Sequence, residues 1–412
     1  MAVIRPFPCV RPAKELASRV AALPYDVYSR AEAKAEAGKE PLSFLNIDRP
    51  ETQFEETVDM YSERVYQKAR ELFEQQVGEG VYIEDNVPCY YLYELVMDGR
   101  SQDGIVACAS IDDYQSGVIK KHENTREEKE QDRIRHVTVM DAQTGPIFLT
   151  YRSEPVINEI MSRTKMQEAE YDFTSEDGIT HRVWAIDALD DSRALEEAFR
   201  KINQIYIADG HHRAASAVKV GLNKREQQPG YTGEEEFNYF LSVLFPHDQL
   251  KILPYNRVVA DLNGLSIPEF LNRCAENFEV KPWKDGVCEP DAKGIIGMYL
   301  DGRWYRLRIK DALRTSDPVE GLDVSLLQDH LLAPVLGIED PRTDKRIDFV
   351  GGIRGSEELE RRVCDGMAAA FAMYPTSIEE LLAVADAGRL MPPKSTWFEP
   401  KLRSGLFIHR LS

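Results

Sequence analysis

The chain has 412 residues, 43% of them hydrophobic, enough for a proper core and, by size, for roughly two to three domains. Its 70 acidic residues outnumber 51 basic ones, for a formal net charge of −19. That balance argues against a nucleic-acid surface, because duplex binding draws most of its affinity from Lys and Arg neutralising phosphates. The start, Met1-Ala2-Val3-Ile4-Arg5-Pro6, lacks the apolar run of a signal peptide, and no stretch approaches the ~20 apolar residues of a membrane span, so the expected location is cytoplasmic with no membrane partner.

In chain order, Phe54, Val58, Tyr61, Val65, Ala69 and Leu72 recur three or four apart, which predicts an amphipathic helix from Phe54 to Phe73. Tyr90 to Met97 and Gly104 to Ile111 read as two strands joined by a loop containing Asp98-Gly99. Thr125 and Glu128 fit the spacing of a capping box at the head of a charge-dense helix. Phe237 to Phe245 reads as a strand ended by Pro246, and Gly294 to Leu300 with Trp304 to Ile309 flank Asp301-Gly302 as a hairpin. Asp323 is expected to cap a helix bearing Leu326, Leu327, His330 and Leu331. Thr376 with Glu379 forms a second capping box, for a helix stopping near Gly388. The fold class is α+β. Pattern breaks near residues 112 and 262 divide it into regions 1–112, 113–262 and 263–412. Six cysteines without Cys-x-x-Cys spacing read as reduced thiols, not a zinc site.

The most informative residues are Asp209-Gly210-His211-His212-Arg213. Gln204 to Ala208 is a β-branched and aromatic run, and Ala214 to Val218 opens a helix-forming stretch, so the five sit in a strand-to-helix turn. A helix start offers unpaired N–H groups and the positive end of the macrodipole, and Gly210 permits close backbone approach to an anion. His211, His212 and Arg213 add donors. Asp209 would repel a phosphate by itself and makes sense beside a polyphosphate when a divalent cation bridges them.

This turn resembles the signature loop of the ParB/sulfiredoxin-like superfamily, in the Asp-Gly-His-His-Arg form of free L-serine kinases. Pro24-Tyr25-Asp26-Val27, Lys121-His122-Glu123-Asn124-Thr125, Pro146-Ile147-Phe148-Leu149 and Met391-Pro392-Pro393-Lys394-Ser395-Thr396 are similar, in this order, to motifs of a large bacterial and archaeal family long labelled as of unknown function. The resemblance spans nearly the whole chain. It implies a ParB/sulfiredoxin-like phosphate-binding core at 113–262, a loop that holds nucleotide phosphates, and a catalytic glutamate in a His-Glu pair upstream, which here is Glu123. Where the family usually carries a histidine this chain has Asn256, so that position receives no catalytic task. The acidic balance means that the ParB likeness does not imply DNA binding.

Phosphorylating a hydroxyl takes a carboxylate to orient and deprotonate it, cations for the phosphoryl group and a metal across the phosphates. Glu123 can supply the first, and Lys121 or His122 the second. Lys394 is an expected anion clamp. Asp209 is the expected metal ligand and a catalytic residue, and Gly210, His211, His212 and Arg213 are the nucleotide contacts. The leading expectation is a Mg²⁺-dependent small-molecule kinase using ATP or ADP, with free L-serine the acceptor by resemblance. The alternatives are a nucleotide-binding regulatory protein without turnover, and a sulfiredoxin-like redox enzyme, which needs a reactive cysteine near the loop.

Overall fold

Asp98 and Gly99 both adopt left-handed φ, 52° and 75°, a pair that only a tight hairpin turn uses comfortably. They fold the strand Tyr90–Met97 onto Arg100–Ser110, with Met97 opposite Arg100. The second strand therefore starts four residues before Gly104, because a two-residue turn pairs the strands from its first position onward. A computed structural model describes residues 1–412 and is a mixed α+β fold with four sheets. Its contacts separate Met1–Leu250 with Pro400–Ser412 as one compact unit and Lys251–Glu399 as another.

The first unit is organised by a nine-stranded sheet. In order, its strands are Ile119–Lys120, Ile205–Asp209, Ile147–Tyr151, Tyr239–Pro246, Arg100–Ser110, Tyr90–Met97, Thr180–Ile186 and Tyr171–Thr174, with Ile4–Arg5 also on Arg100–Ser110. Arg100–Ser110 pairs with Tyr239–Pro246 across the position near residue 112, so strands from both sides of that expected boundary share one sheet. The division near 262 also differs from the break between compact units at 250. Ile147, Leu149, Tyr151, Ile205 and Ile207 are buried in one core with Ala214, Ala217 and Val218 of the helix His211–Gln227. Small residues on that helix allow it to lie close to the sheet, and the helix Glu127–Met140 packs alongside it. A four-stranded sheet, Tyr82–Glu84, Cys9–Pro12, Ile408–Arg410 and Ala142–Gln143, returns the C-terminal segment to this unit.

The second unit holds a six-stranded sheet in the order Phe278–Pro282, Arg303–Ile309, Ile295–Leu300, Ala369–Ala372, Tyr255–Val259 and Ile347–Gly351. Its Asp301-Gly302 hairpin forms with φ of 49° and 72°.

Several expected elements shift. The helix in the Phe54 region runs only over Glu63–Gly78. Asp59 accepts from the Tyr61 N–H at 3.0 Å and the Ser62 hydroxyl donates to the Asp59 carbonyl at 2.7 Å, a local turn that competes with helix ahead of residue 63. The Thr125–Glu128 capping box is absent. Thr125 donates instead to Glu130 at 2.8 Å, and Arg126 precedes the helix without a side-chain cap. Asp323 is not a cap either: both its oxygens accept from the Gly294 N–H. The last capping box forms one residue later than expected, from Ser377 and Glu380, because Thr376 turns to the Ser395 carbonyl. No helix is long and apolar enough to cross a membrane.

Candidate functional site

The strand Ile205–Asp209 pairs antiparallel with Ile147–Tyr151, and the register slips between Ile207 and Asp209. Such a bulge re-aims the side chains that follow it. Gly210 then takes φ 89° and opens the helix His211–Gln227. A side chain there would be strained by that φ, and its Cβ would stand 3.1 to 3.2 Å from the guanidinium of Arg213. Arg213 folds back over the turn, with Nη1 donating to the Pro146 carbonyl at 2.7 Å and Nε buried without a partner. The N–H groups of His211, His212 and Arg213 lie in the first helical turn and have no intrahelical acceptor.

Parallel pairing brings in the second motif. Ile119 stands opposite Ile205 and Lys120 opposite Tyr206, and the chain runs on from Lys120 to Glu123 as it does from Tyr206 to Asp209. Both segments thus leave the sheet at the same end of these strands. There the Arg126 N–H donates to His212 Nε2 at 2.9 Å and the His122 N–H approaches His211 Nε2 at 3.5 Å. Rings that accept at Nε2 are neutral and carry their proton on Nδ1. His211 Nδ1 lies 3.9 Å from the Glu123 carboxylate.

Burial pushes His122 down to about 3, with His211 beside it adding to the effect, and pushes His211 down to about 4 against the opposing Asp209 charge. Burial, then Lys129, lowers His212 as well. The three histidines are therefore neutral at pH 7, not cations. His122 and His211 meet edge to face with ring centroids 4.5 Å apart. His122 is 1% exposed and neither ring nitrogen has a hydrogen-bond partner; the Ile207 carbonyl is near enough to favour its protonated form slightly, but outside hydrogen-bond geometry. An unsatisfied buried imidazole is costly.

Asp209 receives the Gly210 N–H on Oδ1 at 2.8 Å and Lys401 Nζ on Oδ2 at 2.9 Å. Burial alone would raise its carboxyl, but Lys401 and then Arg213 outweigh it and hold the group well below the usual carboxylate range. Sequence reasoning missed Lys401, since nothing in Glu399-Pro400-Lys401-Leu402 distinguishes it from a surface lysine.

No group of three or more His, Cys, Asp or Glu side chains is disposed to cage a metal. That donor set is compatible with Mg²⁺, which is commonly held by one or two carboxylates together with substrate phosphates and water. Asp209 is the carboxylate this turn would offer to such an ion, and its Oδ2 is engaged by Lys401.

Lys121 is exposed beside His211, on which its charge acts. Lys394 belongs to the second unit, with φ 58°, its carbonyl accepting from Arg257 at 3.1 Å and Nζ 5.2 Å from the Tyr255 ring centroid. Asn256 is structural: its side-chain oxygen accepts from the Met373 N–H at 2.9 Å. Tyr25 and Asp26 lie in a short 3₁₀ turn, where Asp26 exerts its charge on His212. Cys9, Cys89 and Cys108, the cysteines of the first unit, are buried, and burial raises each thiol, so none resembles a reactive thiolate.

Residues 4–325 match the family described as "Protein of unknown function (DUF1015)". The chain belongs to that family. No curated protein matches the sequence. Among solved structures, the DUF1015 chain is similar to a free serine kinase in complex with AMP, at 13% identity and a TM-score of 0.37 over 74% of this chain and 91% of that one. It is similar to a conserved hypothetical protein from Pyrococcus furiosus at 13% identity and a TM-score of 0.36, over 74% and 94% of the two chains. A third is SbnI with a C-terminal truncation from Staphylococcus aureus, at 11% identity and a TM-score of 0.39, over 74% and 87%.

Proposed function

We propose that this DUF1015 chain is a Mg²⁺-dependent small-molecule kinase with a ParB/sulfiredoxin-like core, transferring a phosphoryl group from ATP or ADP to a hydroxyl, with free L-serine the favoured acceptor. The observation that carries this reading is the convergence of Glu123 with the Asp209 turn, through parallel strands and the hydrogen bond from Arg126 to His212. One carboxylate then stands beside a phosphate-binding helix start, the pairing that hydroxyl phosphorylation requires. Bound Mg²⁺ would neutralise charge across the phosphates. The helix N–H groups and Arg213 bind the phosphates, His211 fixes the approach of Glu123 through its Nδ1 proton, and Glu123 takes the proton from the acceptor hydroxyl. Serine is favoured through the Asp-Gly-His-His-Arg motif and the His122-Glu123 pair.

A second reading, a nucleotide-binding regulatory protein without turnover, is favoured by one feature: Lys401 already neutralises the carboxylate that a metal needs. Incubation with ATP or ADP, Mg²⁺ and an amino-acid panel separates the two. Phosphoserine formation is expected, and Glu123→Gln is expected to bind nucleotide like the parent while losing roughly 10²- to 10⁴-fold in turnover. Tight nucleotide binding without product selects the regulator, and full turnover in Glu123→Gln removes Glu123 as the base.

A further inference from the structure

A cavity of about 180 Å³ in the first unit has walls formed in part by Tyr25, Asp26, Arg49, Glu51, Tyr61 and Arg133. It has room for several waters or one small solute. Tyr25 and Arg133 also line a smaller neighbouring cavity whose wall includes Arg213, so one small cavity lies between the larger one and that arginine. Arg133 stacks its guanidinium 4.1 Å from the Tyr25 ring centroid and forms the shared wall.

The charges around the larger cavity balance. Arg49, Lys129 and Arg133 are basic, and Asp26, Glu51 and Asp132 are acidic. A polyphosphate would face three carboxylates there, and a plain cation three bases; a molecule carrying both signs meets a partner for each. Tyrosines and Met60 supply apolar surface for a short carbon body.

Two of the charges are buried and retain binding capacity. Arg49 is 7% exposed and Glu51 4%. Arg49 donates from Nε to Glu51 Oε1 at 2.5 Å and from Nη1 to the Tyr25 and Tyr28 carbonyls at 2.9 Å, which leaves Nη2 and Glu51 Oε2 for a ligand. Asp132 is already engaged by the Tyr66 hydroxyl and Arg133 Nε, each at 2.8 Å. Burying an ion pair is expensive in desolvation and gives little net stability, so a pair kept at a cavity wall with open valences suits recognition better than folding.

We propose that this cavity is the acceptor subsite and takes a small zwitterion, a hydroxyl-bearing α-amino acid, with its carboxylate on Arg49 Nη2 and Lys129 and its ammonium on Glu51 Oε2 and Asp26. The assignment rests on the kinase reading above and names where its acceptor binds. Calorimetry on the full chain with L-serine, ethanolamine and glycerate as probes tests it, since ethanolamine lacks the carboxylate and glycerate the ammonium.

L-serine is expected to bind at least tenfold more tightly than either analogue. Glu51→Gln is expected to weaken serine about tenfold while leaving glycerate unchanged. Lys129→Ala, at an exposed position, is expected to weaken serine severalfold without a folding defect. ADP affinity should be unaffected in both. Equal binding of the three probes, no serine binding, serine affinity unmoved by both variants, or displacement of serine by adenosine would each overturn the proposal. Variant-sensitive serine binding without any phosphoserine would sink the kinase reading and leave the cavity assignment standing. Phosphoserine formation with a serine KM indifferent to both variants would do the reverse.

Discussion

Lys401 and Asp209 are 192 residues apart in sequence, yet the lysine ammonium stands 2.9 Å from the aspartate carboxylate. The small sheet containing Ile408–Arg410 draws the C-terminal segment back onto the first unit and so supplies a cation to the Asp209 turn. The Asp209 loop is therefore built from three separated stretches, around residues 122, 209 and 401.

If this pair acts as a unit, removing either member should disable the same step. Lys401→Met and Asp209→Asn are each expected to lower turnover on the order of 10²-fold, the usual size of such electrostatic deletions. The double variant should be no worse than the poorer single one, because coupled groups do not lose their contributions twice. Steady-state rates of phosphoserine formation for the four proteins check this, and multiplied losses would mean that the two residues act independently.

Gly210 is constrained twice, by φ 89° and by the Arg213 guanidinium where a Cβ would go. Gly210→Ala should cost about 1–2 kcal/mol in stability from the left-handed backbone. It should also dislodge Arg213 from the Pro146 carbonyl, so nucleotide affinity is expected to fall at least tenfold in protein that is still folded. Urea unfolding and calorimetry with ADP on one preparation give both values. Parent-like ADP affinity would show that the position of Arg213 is unimportant for the phosphates.

Asp323 provides a pH test away from the site. Burial pushes its carboxyl up to about 6, although the Gly294 N–H bond opposes the shift. The folded value exceeds the unfolded one of about 3.9, so the native state binds the proton more strongly. The corresponding stability is present below about pH 4 and is lost as pH rises through about 6. Asp323→Asn keeps an acceptor for Gly294 and does not titrate. Relative to the parent, the variant should gain stability progressively between these limits, approaching about 3 kcal/mol at pH 7. Denaturant midpoints measured against pH test the trend, and a constant difference between the two proteins would remove Asp323 as its source.

Local chemistry was readable from the chain alone wherever neighbours in sequence are also neighbours in space. Asp209 to Arg213 announced a strand-to-helix turn because a β-branched and aromatic run precedes it and the residues beyond it favour helix. Asp98-Gly99 and Asp301-Gly302 marked their hairpins because few other dipeptides tolerate two left-handed residues in succession. Apolar spacing located the helix that includes Val65 and Ala69 but overran its start, since periodicity does not register the turn made by Asp59 and Ser62. Motif order pointed to Glu123 without giving its distance from Asp209. Only tertiary structure decided that Ile119–Lys120 runs parallel beside Ile205–Asp209, that a C-terminal lysine reaches the turn, and that Arg49 and Glu51 are buried at a cavity wall. These relations depend on which distant strands pair and which charges are desolvated together, free energies that arise between segments of the chain and leave no local signature in either.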